Sequence, residues 1–434
     1  MKRLLYSDLL KWKESDSRKP LILNGARQVG KTWLLREFGS REYESVAYIN
    51  CQRSEDLQPV FSDFDTARII RALSAYTGIS IQPGKTLIIL DEIQEFPRAL
   101  TALKYFCEDA PDYHIAVAGS LLGLSLHGGV SYPVGKVETL NLYPMTFAEF
   151  VLAAGNRLLF DAIRNADYPV INAAAGPLTE LLRQYYYTGG MPEAVLTYLD
   201  SGDWHRVRAV QKQILQDYER DFSKHTDSRE AQRIRMVWNA VPAQLARENR
   251  RFVYKELKKG GRAAEFETAI EWLQDAGMVY KVLRITEPRQ PLRFYEEPAA
   301  FKLFALDTGL LGAMMDTAAK DVVIDNRAFS EYKGAFTENF VLTQLIPAGM
   351  PVRYYAVNDS RVEIDFVVQT ADGIVPVEVK AEENVRSRSL RTFLDKYTDL
   401  HAVRFSMKPY IEQERVTNIP LFAVETFSSA TRQR

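Results

Sequence analysis

In the stretch "KPLILNGARQVGKTWLLREF" (residues 19–38), Gly25, Gly30, Lys31 and Thr32 stand at the spacing GxxxxGK[ST]. Such a loop aims backbone N–H groups and a helix N-terminus at one point, a geometry that binds anions whatever the side chains are. Gly25, Ala26, Arg27, Gln28, Val29 and Gly30 would then cradle phosphates, Lys31 would reach the β- and γ-phosphates, and Thr32 would ligate Mg²⁺. The competing reading is a plain turn between a strand and a helix. Further on, "TLIILDE" (86–92) ends in two carboxylates. Asp91 would hold Mg²⁺ through water, and Glu92 would orient and polarise an attacking water, because phosphoryl transfer needs mainly positioning and charge neutralisation. Alternatively, both acids cap the next helix, whose first turn favours negative charge.

The last hundred residues hold a second set. "RVEIDFVVQTADGIVPVEVKAEE" predicts a hairpin turning at Asp372-Gly373. That register puts Asp365 opposite Lys380, with Glu378 one step along the same face, while Ile364, Phe366, Val368, Val375, Val377 and Val379 form the reverse, core face. A one-residue bulge would separate the three polar groups. Glu338 arrives from a helix in "YKGAFTENFVL". Asp365 and Glu378 can hold Mg²⁺, and Lys380 can place or activate a water. An alternating E-V-K run on an exposed strand also reads as cross-strand salt bridging, and Glu363 and Glu382 on that face support it.

These side chains need elements to position them. Leu21 to Leu23 read as a buried strand, followed by the loop and a helix carrying Trp33, Leu34, Leu35 and Phe38. "SVAYINC" (45–51), "HIAVAGS" (114–120) and "KVETLNL" (136–142) read as further strands of the same parallel sheet, with "TLIILD" as a central one. Ser120 would lie at the sheet edge, donating to a γ-phosphate or capping the helix of "LLGLSL". Residues 166–235 are helical in period, broken by "TGGMPEAV". Residues 252–296 give a short helix, a Gly260-Gly261 turn, an amphipathic helix and two extended runs, the order of a winged helix-turn-helix.

Seven basic residues lie within 247–262, but the helix at 263–276 carries Glu265, Glu267, Glu271 and Asp275 with no Lys or Arg. Duplex DNA would repel it, so this module is expected to dock on protein, with at most a sequence-independent phosphate contact. The formal net charge of −1 excludes a global attraction to nucleic acid or anionic membrane. Two cysteines, Cys51 and Cys107, exclude a disulfide framework and fit a reducing cytoplasm. No stretch approaches eighteen uninterrupted apolar residues and the start lacks a signal-peptide core, so a soluble cytoplasmic protein without membrane contact is expected.

"LILNGARQVGKTWLLREF", "IILDEIQEFPRALTALK", "VAGSLLG", "LYPMTFAEF", "YYYTGGMPEAV" and "FKLFALDTGLL" together resemble the prokaryotic AAA-type ATPases of the AAA+ superfamily whose C-terminal half is a domain of unknown function. The resemblance implies ATP and Mg²⁺ as ligands, an additional strand between the phosphate loop and the acidic strand, and Glu92 as catalytic. It also implies a restriction-endonuclease-like domain, whose metal-dependent site Glu338, Asp365, Glu378 and Lys380 resemble in order. Where these proteins often carry Gly-Arg, this chain has Gly135 and Lys136, which lacks the guanidinium fork.

The expected fold class is α/β: a P-loop NTPase domain with a parallel sheet (1–165), a helical connector or lid (166–235), a winged helix-turn-helix (236–318) and a restriction-endonuclease-like domain (319–434). Two functions follow from it. Either ATP hydrolysis controls a nuclease acting on DNA, or the chain is an ATP-driven switch whose nuclease-like domain only binds a partner or nucleic acid.

Overall fold

The computed structural model describes residues 1–119, 133–224, 226–246, 251–318, 333–357, 362–381 and 388–427. They form two compact units, Met1–Tyr143 with Asp275–Met278, and Pro144–Gln274 with Val279–Arg434.

In the first unit, α1 (Tyr6–Glu14) precedes β1 (Leu21–Asn24), α2 (Lys31–Glu42), β2 (Ser45–Asn50), α3 (Thr66–Thr77), β3 (Thr86–Asp91), α4 (Pro97–Asp109), β4 (His114–Ala118) and β5 (Glu138–Asn141). The strands pair in parallel in the order β2-β3-β4-β1-β5. The strand β4 thus lies between the phosphate-loop strand and the acidic strand, as expected. All six residues of β3 are buried, which is why its sequence is an unbroken apolar run rather than an alternating one. One face of the sheet, with Ile49, Ile88, Leu90, Ile115 and Val117, packs against Ile69 and Leu73 of α3 and Leu100, Leu103 and Phe106 of α4. Asp65 starts α3 by accepting from the Arg68 N–H, and Gly78 ends it in the left-handed region at φ 69°. On α2, Leu34, Leu35 and Phe38 are buried while Trp33 stays exposed.

The second unit opens with helices, from Phe147–Ala153 to the longest two, Trp204–Lys224 and Ser228–Leu245. A turn at Tyr254–Glu256, the helix Ala263–Asp275, and the antiparallel strands β6 (Val279–Ile285) and β7 (Glu296–Ala305) follow. Then come the helices Thr308–Met314 and Lys333–Leu345, β8 (Val352–Ala356), β9 (Glu363–Thr370), β10 (Gly373–Val379), the helix Arg388–Lys396, β11 (Ala402–Ser406), β12 (Ile411–Glu412) and β13 (Val416–Pro420). One eight-stranded mixed sheet contains them all, in the order β12-β13-β11-β10-β9-β8-β6-β7. The join is parallel pairing of Arg284 and Ile285 with Tyr354 and Tyr355, so the hairpin that reads as a wing is continuous with the C-terminal sheet.

The β9–β10 hairpin differs from its expected register. It turns at Ala371–Asp372, with Gly373 paired to Thr370 and Phe366 to Val377, so Asp365 is not opposite Lys380. The shift is by two residues across the pair, which leaves every side chain on its original face. Apolar alternation cannot distinguish such registers. A bulge also occurs: Arg353 pairs with Val367 but Tyr355 with Ile364, leaving Asp365 and Phe366 opposite a single residue. Ile364 consequently packs with Val367, Ile374, Leu390 and Phe393, rather than on the expected reverse face.

Candidate functional site

The loop between β1 and α2 is shaped by its backbone. Gly25 (φ 152°), Gln28 (φ 64°) and Gly30 (φ 95°) all take positive φ, which folds the chain into a concave turn. A Cβ at Gly25 would lie 2.2 Å from the Leu142 carbonyl oxygen, so the chain beyond β5 leaves room there only for glycine. Arg3 braces the loop from outside, donating to the carbonyls of Val29 (2.8 Å) and Tyr143 (2.6 Å). Nothing in the sequence around Arg3 signals this role.

The Lys31 amine is folded onto its own loop, donating to the carbonyls of Gly25 and Ala26 at 2.8 Å each. Burial pushes this amine down to about 8, against the pull of Glu92 and Asp91, with the charge of Arg27 adding to the depression. At the end of β3, Asp91 accepts from Thr32 Oγ1 (2.8 Å) and Tyr48 OH (2.9 Å) on one oxygen and from the Glu92 N–H (3.2 Å) on the other. Asn50 pairs with Asp91 across β2 and β3, which puts Tyr48, two residues earlier, on the same side as the site. That periodicity could have revealed Tyr48. Glu92 itself sits in the left-handed region (φ 53°, ψ 46°), a strained state for a residue with a Cβ and one that concentrates at functional sites. Its carboxylate accepts from Gln94 Nε2 at 2.6 Å.

The structure therefore brings Lys31, Thr32, Asp91 and Glu92 together. Asp91 is not a helix cap: its oxygens are taken up by Thr32, Tyr48 and the next peptide. Ser120 lies outside the described residues. Lys136 is tied to Glu108 at 2.9 Å on the surface.

The C-terminal residues are arranged differently. Asp365 accepts from the Val379 N–H at 2.8 Å, where the bulge interrupts the strand pairing. Glu378 is buried between Arg404, its neighbour on β11 (2.9 Å), and Lys380 (3.4 Å). Buried Glu338 lies 4.0 Å from buried Lys302, which also pairs with Glu363. Each carboxylate thus lies beside a separate partner, Glu338 sharing Lys302 with Glu363, and among the described residues no three Asp, Glu, His or Cys side chains are grouped to hold a metal. Arg404 and Lys302 come from strands far from the hairpin in sequence, so local alternation gave no sign of them.

A phosphate loop on a parallel sheet, with an acidic strand separated from it by one further strand, defines a P-loop nucleotide-binding domain. More particularly, residues 17–151, which make up most of the first unit, match the family described as an AAA domain. Residues 179–321 and 333–424 match two families each described as a domain of unknown function, DUF8612 and DUF4143. No curated protein sequence matches the chain. Among solved structures, the chain is similar to the Walker-type ATPase PABY2304 of Pyrococcus abyssi, at 18% identity and TM-score 0.47, over 72% of this chain and 95% of that one. It is also similar to AMPPCP-bound DnaA from Aquifex aeolicus, at 14% identity and TM-score 0.29, over 63% and 88%. A third is the Orc1 protein of Aeropyrum pernix in complex with DNA, at 14% identity and TM-score 0.25, over 72% and 90%. No helix among the described residues is long and apolar enough to cross a membrane.

Proposed function

We infer that the first unit binds and hydrolyses ATP, and that the second unit serves as a partner-binding module driven by that cycle. The observation that carries the first part is the contact of Thr32 with Asp91 beside the Lys31 amine and the Glu92 carboxylate. On nucleotide binding, the Lys31 amine exchanges the carbonyls of Gly25 and Ala26 for the β- and γ-phosphates, while the loop N–H groups hold the remaining oxygens. The hydroxyl of Thr32 and the carboxylate of Asp91 are hard oxygen donors in contact, a set that suits Mg²⁺. When bound, Mg²⁺ supplies positive charge at the phosphate oxygens. Glu92 orients a water toward the γ-phosphorus and receives its proton. As the water oxygen bonds to phosphorus, the bond to the β–γ bridging oxygen breaks, leaving ADP and phosphate. Calorimetric binding of ATP together with phosphate release tests this reading; absence of both overturns it.

The Lys31 amine also gives a pH signature. Phosphate binding favours its protonated form, so affinity is highest where the free protein already carries that proton, below about 8. Above that value each ATP must recruit a proton with it. Affinity should therefore fall by up to about tenfold per pH unit as pH rises from about 8 to about 9. Lys31→Arg, which keeps its charge, should bind with a flat profile over the same range. Trp33 follows Thr32 directly and is 46% exposed, so its fluorescence offers a readout beside calorimetry.

For the second unit, ion pairs hold two of the acids: Glu378 between Arg404 and Lys380, and Glu338 beside Lys302. The carboxylate of Asp365 is engaged by a backbone N–H. This favours a restriction-endonuclease-like domain kept for binding over one that cuts. The helix Ala263–Asp275, in a winged-helix arrangement with the hairpin of β6 and β7, exposes Glu267 and Glu271 and is suited to a protein partner rather than to duplex DNA. Plasmid and single-stranded DNA should remain intact with Mg²⁺ or Mn²⁺, with or without ATP, on agarose gels. Cleavage that Asp365→Ala abolishes would restore the nuclease reading.

A further inference from the structure

We propose that Gln94 is a second water-positioning residue of the ATP site, acting with Glu92; the proposal rests on the ATP-hydrolysis reading above. Gln94 lies in the single turn Ile93–Glu95 that follows the left-handed Glu92. This chain reversal sends Ile93 into the core while the side chains of Glu92 and Gln94 meet outside it.

A carboxamide is a donor at one corner and an acceptor at the other, in one plane. The donor corner is used: Gln94 Nε2 holds Glu92 Oε2 at 2.6 Å. The acceptor corner is not. Gln94 Oε1 is shielded from solvent and accepts no hydrogen bond among the described residues. Buried carbonyl oxygens are rarely left so, and an exception calls for an explanation.

The chemistry of the site supplies one. A water poised for in-line attack must direct a lone pair at phosphorus, which requires that both of its O–H bonds be accepted elsewhere. Glu92 has one oxygen engaged by Gln94 and the other available for the first O–H. Gln94 Oε1, fixed to the same carboxylate through its own amide, accepts the second. Gln94 also restrains the Glu92 side chain against rotation, so the acid and the amide form one acceptor pair.

Gln94→Met keeps length and bulk but neither donates nor accepts as an amide does. It is expected to lower kcat by about tenfold or more, while KM and the affinity for a non-hydrolysable ATP analogue stay within about twofold. A side chain that only supported the fold would change binding or melting temperature together with turnover. In the Glu92→Gln background, Gln94→Met should add less than about a twofold further loss, because the two groups hold the same water. Gln94→Ala must give the same split, which covers the case in which methionine disturbs local packing. A kcat within about twofold of wild type in both variants, or equal losses in both backgrounds, overturns the proposal. Absence of ATP turnover in the wild type would instead overturn the underlying reading, and this proposal with it.

Discussion

Glu92→Gln is expected to bind ATP with near wild-type affinity and to hydrolyse it on the order of 10²–10⁴-fold more slowly, the usual range for a lost general base. The substitution leaves the binding apparatus in place: the loop N–H groups, Lys31, Thr32 and Asp91 make no hydrogen bond to the Glu92 side chain. The left-handed backbone at this position is no obstacle, because Gln28 already adopts φ 64° in the neighbouring loop. An amide oxygen still accepts from Gln94, so the turn is preserved. What disappears is the negative charge that draws a proton from water. One side effect is foreseeable: Glu92 is the largest of the charges opposing the depression of the Lys31 amine, so the variant should lose that support. Binding is therefore best compared well below pH 8, where a further fall in that value still leaves the amine protonated. Turnover within about threefold of wild type would remove Glu92 from the mechanism.

Much of this site is legible in the sequence because its constraints are local. A phosphate loop needs glycines at fixed offsets, and Gly25 and Gly30 adopt the positive φ that their spacing implies. A strand buried on both faces needs an unbroken apolar run, and "TLIILD" is one. The less legible parts depend on distant chain. Arg3 reaches Val29 and Tyr143 from the first residues, and Arg404 reaches Glu378 from a parallel neighbour strand. The hairpin at Ala371–Asp372 is a middle case. Its two strands follow from alternation, whereas its register is one of several that alternation allows, and the bulge at Asp365 and Phe366 lies in the pairing with β8, which the pattern within the hairpin does not encode. The same holds for the strand pair read as a wing, whose fusion to the C-terminal sheet depends on the contact of Arg284 and Ile285 with β8.

Asp307→Ala is expected to destabilise the second unit by about 3 kcal/mol or more, since it strips at least two buried N–H groups of their acceptor at about 1–3 kcal/mol each. Asp307 is fully enclosed. Its carboxylate accepts from Gly190 N at 2.6 Å and from Leu310 N at 2.8 Å, so it caps the helix Thr308–Met314 and grips the glycine pair of "TGGMPEAV" at once. The fit has no slack: a Cβ on Gly189 would lie 2.3 Å from Asp307 Oδ1, and one on Gly190 would lie 2.1 Å from the Met145 carbonyl oxygen. Three motifs far apart in the chain, "YPMTFAEF", "YYYTGGMPEAV" and "FKLFALDTGLL", thus meet around Gly190, which lies between this carboxylate and the Met145 backbone. Burial pushes the Asp307 carboxyl up to about 6, against the backbone N–H bonds that pull it down. Because the folded value lies above the unfolded one, the proton-linked part of its contribution to stability is full below about pH 4 and is lost as pH rises through about 6, while the bonds from Gly190 N and Leu310 N persist in the ionised form. Asp307→Asn cannot ionise and should flatten that part of the stability profile, while keeping one of the two N–H bonds. Hydrogen exchange at the amides of Gly190 and Leu310 is the direct readout: in Asp307→Ala both should lose protection together. Protection unchanged at both amides, with wild-type resistance to denaturant, would show that the three motifs are held by something other than this carboxylate.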